Sequence, residues 1–372
     1  MTILPSHRHD LAAHRRRHGE IPWLARETLI GVVEAAGLSG RGGAGFPLAV
    51  KLRAVTGRRA VVVANGCEGD PHSAKDRALL TLTPHLVLDG IQLAAFAVGA
   101  TEAVLCLHSR SPAAASVAAA LAERADRVAV RIAEIPRRYV ASEETALVHY
   151  LTNGDARPTG KTPRPAERGV KGRPTLVSNV ETLAQIALVA RLGPGFSRTG
   201  LFTVTGAVHG RGVVEAGPGS TIGDLISRCG GESEPVQAVL AGGYGGRWLP
   251  WPAASGTQLE TLGISAIFAL PAASCGLEYT ARVLAFLAAE SARQCGPCMF
   301  GLPAIAHDFA ELVRGGDSTG RLARRLPVIT GRGACGHPDG AVRLADSALR
   351  VFGHDVSAHL TSRRCQVPAG VA

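Results

Sequence analysis

Gly40-Arg41-Gly42-Gly43-Ala44-Gly45-Phe46, followed by Pro47 and then Lys51, is the stretch on which the reading of this chain turns. Four glycines in six residues strip side chains from a backbone that has to come close to something. Arg41 and Lys51 make that something anionic, which points to phosphate. The same stretch also reads as an ordinary tight loop that packs backbone on backbone. Its spacing satisfies G-x-G-x-x-G through Gly40, Gly42 and Gly45, but that fingerprint needs a strand in front of it. Residues 24–36 (LARETLIGVVEAA) read instead as an amphipathic helix, so a conventional dinucleotide-binding fold is disfavoured.

Downstream, Arg59 to Ala64 is a short β-branched run that reads as a buried strand, ending in Asn65-Gly66-Cys67-Glu68-Gly69-Asp70-Pro71. Polar groups and glycines at the carboxyl end of a buried strand are where α/β sheets place their ligands. Lys75-Asp76-Arg77 opens a helix, Pro84 to Ala100 gives another, and Ala103 to Leu107 reads as a second buried strand. This is a βα alternation. A strand-like Val128 to Ile132 precedes Tyr139-Val140-Ala141-Ser142-Glu143-Glu144-Thr145. Two adjacent carboxylates make poor phosphate ligands, so Glu143 and Glu144 either face hydroxyls, amides or a nicotinamide, or simply start a helix at its positive end. Gly160-Lys161-Thr162 resembles the tail of a P-loop, but Asp155 stands where that motif needs glycine, which excludes an NTPase. Gly172 to Thr182 closes the region with a polar cluster at a loop-to-helix junction, where Asn179 is placed to cap the helix.

Phe202 to Ile226 gives short alternating strands, turn glycines and a helix starting after Ser220 or Thr221, a β-grasp-like pattern without a titratable cluster. From Gly276 the pattern becomes helical, with Tyr279, Val283, Leu284, Phe286 and Leu287 on the apolar face, and leads to Cys295-Gly296-Pro297-Cys298. C-x-x-C reads as a zinc half-site, a dithiol pair or part of an iron-sulfur site. Cys335, in Gly333-Ala334-Cys335-Gly336-His337, is the third thiolate. Three thiolates do not argue for zinc unless His337 completes a site.

A chain of 372 residues with 46% hydrophobic composition can bury two or three domains. No run approaches the length of a membrane-spanning helix, and no signal-peptide core is present, so the expected location is the cytoplasm. His7 to His18 reads as a solvated polar leader. The formal charge of +10 comes from scattered arginines, and aromatics are only 4% of residues. Stacking residues for nucleic acid are therefore scarce, and an acidic protein partner fits better.

Taken in order, the G-R-G-G-A-G-F-P loop, N-x-x-E-G-x-P-x-x-x-K-D-R at Asn65 to Arg77, E-E-T-A-L at Glu143 to Leu147 and P-T-x-V-x-N-V-E-T-L at Pro174 to Leu183 resemble one family. It is the NADH-binding, FMN- and 4Fe-4S-carrying subunit of respiratory complex I and its relatives in NAD-linked hydrogenases and formate dehydrogenases. The resemblance runs from about Gly31 to about His354 and implies an α/β FMN-binding domain, a β-grasp-like soluble-ligand-binding α+β domain and a C-terminal helical bundle with an iron-sulfur site. The expected boundaries are a polar leader at 1–30, then 31–195, 196–272 and 273–372.

By the same resemblance, Gly40, Arg41, Gly42, Gly43, Ala44, Gly45 and Lys51 hold the FMN phosphate and ribityl chain. Asn65, Glu68, Asn179 and Thr182 contact the flavin or ribityl hydroxyls, and Phe46 lies where the pyridine nucleotide stacks. Glu143 and Glu144 face nicotinamide and ribose, and Glu68, Glu143 and Glu144 form the catalytic set. The implied activity is hydride transfer from NADH or NADPH to FMN, with single electrons leaving through the cluster to a ferredoxin, a separate 2Fe-2S subunit or another oxidoreductase subunit. Neither nucleic acid nor a membrane span is expected, although the chain would suit a place at the periphery of a membrane complex. The departures are specific. Ala292 occupies the first position of the expected C-x-x-C-x-x-C, leaving Cys295, Cys298 and Cys335 for a 4Fe-4S or a 3Fe-4S centre, with Cys275 and Cys365 as replacement candidates. Ala54 and Arg164 align with two aromatics of the nucleotide site, Cys67 with Asp, Asp70 with Glu, Ser142 with Gly and Ser178 with Asn. The alternative function is a relative that does not bind nucleotide and serves as an iron-sulfur relay or assembly partner.

Overall fold

The computed structural model describes residues 3–43, 45–57, 59–196, 199–262 and 265–363. Two compact units emerge: Met1–Gly69 with Ala74–Leu201 and Glu215–Pro218, and Asp70–Ser73 with Phe202–Val214 and Gly219–Ala372.

The first unit runs α1 (Leu11–His18), α2 (Arg26–Ala35), α3 (Leu48–Ala54), β1 (Ala60–Asn65), α4 (Lys75–Leu82), α5 (Pro84–Val98), β2 (Ala100–His108), α6 (Ala114–Ala122), β3 (Val130–Ile135), α7 (Glu144–Asn153), β4 (Thr175–Asn179) and α8 (Val180–Leu192). Its four strands form an all-parallel sheet in the order β3-β2-β1-β4. Val61, Val62 and Val63 of β1 are fully buried, as a strand covered on both faces requires, each worth about 1.5–3 kcal/mol. The chain leaves β1 toward β2 and β3 on one side and returns from β3 to β4 on the other. The switch point therefore lies between the carboxyl ends of β1 and β4, where Asn65 and Asn179 are register partners.

Beside that edge, α5 is buried along nearly its whole length and ends on Gly99 in the left-handed conformation. It meets α8 at Gly90, where an added Cβ would stand 1.8 Å from the Leu183 carbonyl oxygen. The run read as a solvated leader is corrected here: His14 and His18 of α1 are both buried, and His14 Nε2 lies 2.7 Å from Asp89 Oδ2 of α5. Arg124 and Arg191 also bind Asp89, so the helix is seated on a charged pair network that composition alone does not reveal.

The second unit contains most of β5 (Gly200–Gly206) and β6 (Gly212–Ala216), then α9 (Ile222–Arg228), β7 (Val236–Ala241), β8 (Arg247–Pro250), α10 (Leu259–Leu262), β9 (Ala266–Pro271), α11 (Gly276–Ala289), a π-helical turn at Pro297–Gly301, α12 (Leu302–Val313), α13 (Thr319–Ile329), α14 (His337–Val351) and α15 (Gly353–Ser362). The sheet is mixed, in the order β6-β5-β9-β7-β8, with β5 parallel to β9 and β7 antiparallel to β8 and β9. Thr221 and Asp224 close a capping box on α9. Trp248 of β8 is fully buried; its backbone N–H donates to Ser347 Oγ of α14 and its indole Nε1 to Thr280 Oγ1 of α11, each at 2.9 Å. The sheet and the C-terminal helices thus share one core. Among the described residues, no single helix is long and apolar enough to cross a membrane.

Candidate functional site

The glycine loop of the first unit lies against the switch point: a Cβ on Gly42 would sit 3.6 Å from Asn179 Cβ, while Gly43 and Gly45 take φ of +100° and +61° and an added Cβ there would meet nothing within 4 Å. Those two glycines keep an open stretch of backbone that a side chain would obstruct, which suits a loop bent around a ligand. Ala44 lies outside the described residues. The loop is pinned from behind. Arg41 N donates to Thr182 Oγ1 at 2.8 Å, and Arg41 Nε to Glu181 Oε1 at 3.0 Å.

Glu181 belongs to a buried charged network. Lys75 Nζ stands 2.9 Å from Glu181 Oε2, 2.7 Å from Asp76 Oδ1 and 3.3 Å from Asn179 Oδ1. Asn179 Nδ2 donates to Asp76 Oδ2 at 2.6 Å. Burial pulls the Lys75 ammonium down, but Asp76 and Glu181 outweigh it and raise its pKa. Burial pushes the Asp76 carboxyl up to about 7 against the pull of Lys75. Burial also acts to raise Glu181, yet Lys75 and Arg41 hold it below the usual carboxylate range. Sequence reasoning placed Lys75 and Asp76 only as a helix opening and gave Glu181 no role. The available signal was the lone carboxylate of α8, in a helix that is buried continuously from Val180 to Val189.

The expected site residues are gathered at this end of the sheet, and most are already engaged within the protein. Asn65 Nδ2 donates to Ser142 O at 2.8 Å, and its Oδ1 accepts from Cys67 N. Glu68 accepts the backbone N–H groups of Asp76 and Arg77 at the start of α4, both at 3.0 Å. Glu143 caps α7, accepting from Thr145 N and Ala146 N, and burial keeps its carboxyl above the usual range despite those bonds. Lys51 Nζ donates to Glu144 Oε2 at 2.6 Å and to Val177 O at 2.8 Å. Phe46 is 37% exposed. Arg41 and Lys51 are therefore each set against a carboxylate, so an incoming phosphate would compete with Glu181 and Glu144 for them. The loop glycines, the two cations and the polar strand ends together fit a phosphate-bearing planar ligand.

In the second unit, Cys295 follows the end of α11, Cys298 sits in the π-helical turn and Cys335 precedes α14; Cys298 and Cys335 are buried and Cys295 is half-buried. Burial acts to raise the Cys295 thiol, but N–H donors from Ala334 and Cys298 and the Cys298 thiol lower its pKa. Burial, the bond given to Cys295 and the nearness of Cys335 push Cys298 up to about 12. Three converging thiols with N–H groups aimed at sulfur are the donor set of an iron-sulfur centre. No group of three or more His, Cys, Asp or Glu among the described residues is arranged around one metal ion. A polynuclear cluster spreads its ligands wider than a single ion does, so the trio still fits. Cys275 does not join it. It caps the opposite end of α11, about 21 Å of helix rise away, with Sγ 3.4 Å from His359 Nε2. Cys365 lies outside the described residues.

Against known proteins, the Nuo51 FMN-binding domain family matches residues 33–188, and the NADH-ubiquinone oxidoreductase-F iron-sulfur binding region matches residues 278–359. The chain is similar to the F 2 subunit of the NADH-quinone oxidoreductase of Rhizobium meliloti, 28% identical over 91% of this chain and 90% of that one. It is also similar to the NADP-reducing hydrogenase subunit HndC of Solidesulfovibrio fructosivorans, 26% identical over 91% of this chain and 77% of that one. A crystal structure of an NAD+-reducing nickel-iron hydrogenase in the H2-reduced state superposes with a TM-score of 0.87 at 29% identity, covering 96% of this chain and 68% of that one.

Proposed function

Because the chain belongs to the family of NADH-ubiquinone oxidoreductase F-type flavoprotein subunits, we propose that it is a flavin and iron-sulfur oxidoreductase oxidising NAD(P)H. The observation that carries this reading is the glycine loop folded over the β1/β4 switch point, with Arg41 and Lys51 beside it. FMN, when bound, supplies the acceptor for a hydride and releases its electrons singly to the cluster. The protein's share is placement. Gly40 to Gly45 hold a backbone path for the phosphate and ribityl chain, with Arg41 and Lys51 as the cations exchanging a carboxylate for phosphate. Asn65 and Glu68 line the flavin side, and Thr182 fixes the loop from behind. Glu143 and Glu144 face the nucleotide, with Phe46 exposed to stack on it. Cys295, Cys298 and Cys335 hold the cluster.

We read residues 31–195 as the FMN domain, 196–272 as a β-grasp-like module and 273–372 as the cluster-bearing helices. The five-stranded mixed sheet, with α9 between β6 and β7 in the chain, supports the middle assignment. The formal charge of +10 favours an acidic electron carrier, either a ferredoxin or a separate 2Fe-2S subunit, beside other oxidoreductase subunits. A cytoplasmic location, peripheral to a larger complex, accords with the lack of a spanning helix among the described residues.

The deciding experiment is an absorption spectrum of anaerobically purified protein before and after NADH and then NADPH. Flavin bands that bleach identify the dehydrogenase and its donor. An iron-sulfur shoulder without flavin, or a flavin that neither nucleotide reduces, would assign the chain to electron relay.

A further inference from the structure

We propose that the imidazole of His337, through Nδ1, supplies the fourth protein ligand of the cluster held by Cys295, Cys298 and Cys335, in place of the thiolate missing at Ala292. The inference rests on the reading that those three cysteines hold a cluster.

The Ala292 backbone N–H donates to the Cys298 sulfur, so position 292 lies against the thiol group and brings only a methyl to it. Among the described cysteines, Cys275 is the other candidate from this unit's motif region, and it is engaged with His359 at the far end of α11. His337 lies two residues beyond Cys335, as the first residue of α14, and is only 9% exposed. Its Nε2 is 2.8 Å from the Leu287 carbonyl oxygen. A carbonyl only accepts, so Nε2 carries the proton and Nδ1 carries the lone pair. Metal-bound histidines are held in this way, with one ring nitrogen donating to a backbone carbonyl and the other facing the metal. Leu287 belongs to the last turn of α11, the end that leads into Cys295. The ring is thus anchored at the cysteine end of the helix.

Ser291 is the competing oxygen donor, 3% exposed and with no hydrogen-bond partner for its hydroxyl among the described residues. Its hydroxyl would have to lose a proton to bind iron as an anion, whereas the imidazole binds neutral with its lone pair already in place. Replacing a thiolate by a neutral nitrogen also makes the cluster less negative, which raises its reduction potential.

The test is pulsed EPR on the reduced, anaerobically purified full-length protein grown with natural-abundance or 15N-labelled histidine, together with iron content. A nitrogen hyperfine coupling that changes with the label is expected. It should vanish in His337→Leu, with loss of one iron from the cluster. In Ala292→Cys the coupling should vanish while the iron is retained, a readout that holds even if His337→Leu does not fold. A cluster without nitrogen coupling, a coupling that survives His337→Leu, or loss of the fourth iron in Cys365→Ser would overturn the proposal. Protein with no iron-sulfur spectrum at all would instead overturn the three-cysteine reading beneath it.

Discussion

Asn65 and Asn179 stand opposite one another at the carboxyl ends of β1 and β4, and the Asn179 Nδ2 is 3.4 Å from the Asn65 carbonyl oxygen. Both faces of the Asn179 amide are used inward: Oδ1 accepts from Glu181 N at 3.0 Å and from Lys75, while Nδ2 donates to Asp76. Its chief contribution is therefore to the shape of the site. Asn179→Ala should cost about 1–2 kcal/mol in urea denaturation, the worth of a helix cap. Asn179→Ser should recover part of that loss. Asn179→Asp keeps the cap acceptor but sets an anion beside Asp76, and should be less stable than the serine variant.

Lys75 is the cation that compensates Asp76 and Glu181 in the interior. Removing one partner of a buried pair leaves an uncompensated charge, so Lys75→Met should destabilise the first unit by about 3–5 kcal/mol. Lys75→Met combined with Glu181→Gln should recover much of it. A double variant no better than the single one would show that the pair is not coupled.

Arg41 and Lys51 each neutralise a carboxylate in the structure, and each is assigned to the phosphate. Arg41→Ala with Lys51→Ala should abolish flavin retention while far-ultraviolet circular dichroism stays unchanged. Unchanged flavin content would remove the phosphate assignment.

Acid should loosen the first helix. Burial, then the neighbouring His14 and Arg191, lower the His18 pKa from 6.5 to about 3; burial, then His14 and Arg124, lower His85 to about 4. Both groups favour the neutral form when folded, so their stabilisation is fully present above 6.5 and drains away as pH falls toward those lower values. Urea midpoints should therefore fall between about pH 6.5 and about pH 4, and His18→Leu should flatten that slope.

The net basic charge gives the partner assignment a simple check. Association with an acidic ferredoxin should weaken strongly between low and moderate salt, measured by titration calorimetry, because screening acts on exposed charges. Salt-independent association would refute it.

Much of the first unit was legible because its signals are local. Val61 to Val63 announce a buried strand and Asn179 reads as a cap and is one, whereas the helix expected over Pro84 to Ala100 stops at Val98, before the left-handed Gly99. The start of α9 is narrowed by sequence to Ser220 or Thr221, and the capping box between Thr221 and Asp224 decides for Thr221. What stayed hidden depends on partners far along the chain. His14 looked solvated because Asp89, Arg124 and Arg191 are remote in sequence. Lys75 looked like an ordinary first-turn charge because Glu181, 106 positions on, decides that it is buried. Cys275 looked as eligible as any cysteine until the 14 residues of α11 set it apart from Cys295.

Gly90 touches none of the groups assigned to FMN, yet it sets how closely α5 approaches α8 at Leu183, the residue after Thr182. Even a methyl there must drive the two helices apart, and α8 carries Glu181 and Thr182, which anchor Arg41 of the glycine loop. In a genetic screen for lost flavin, Gly90 should therefore score alongside the loop glycines. Its allele would be mistaken for a ligand contact, although the lesion would be one of spacing.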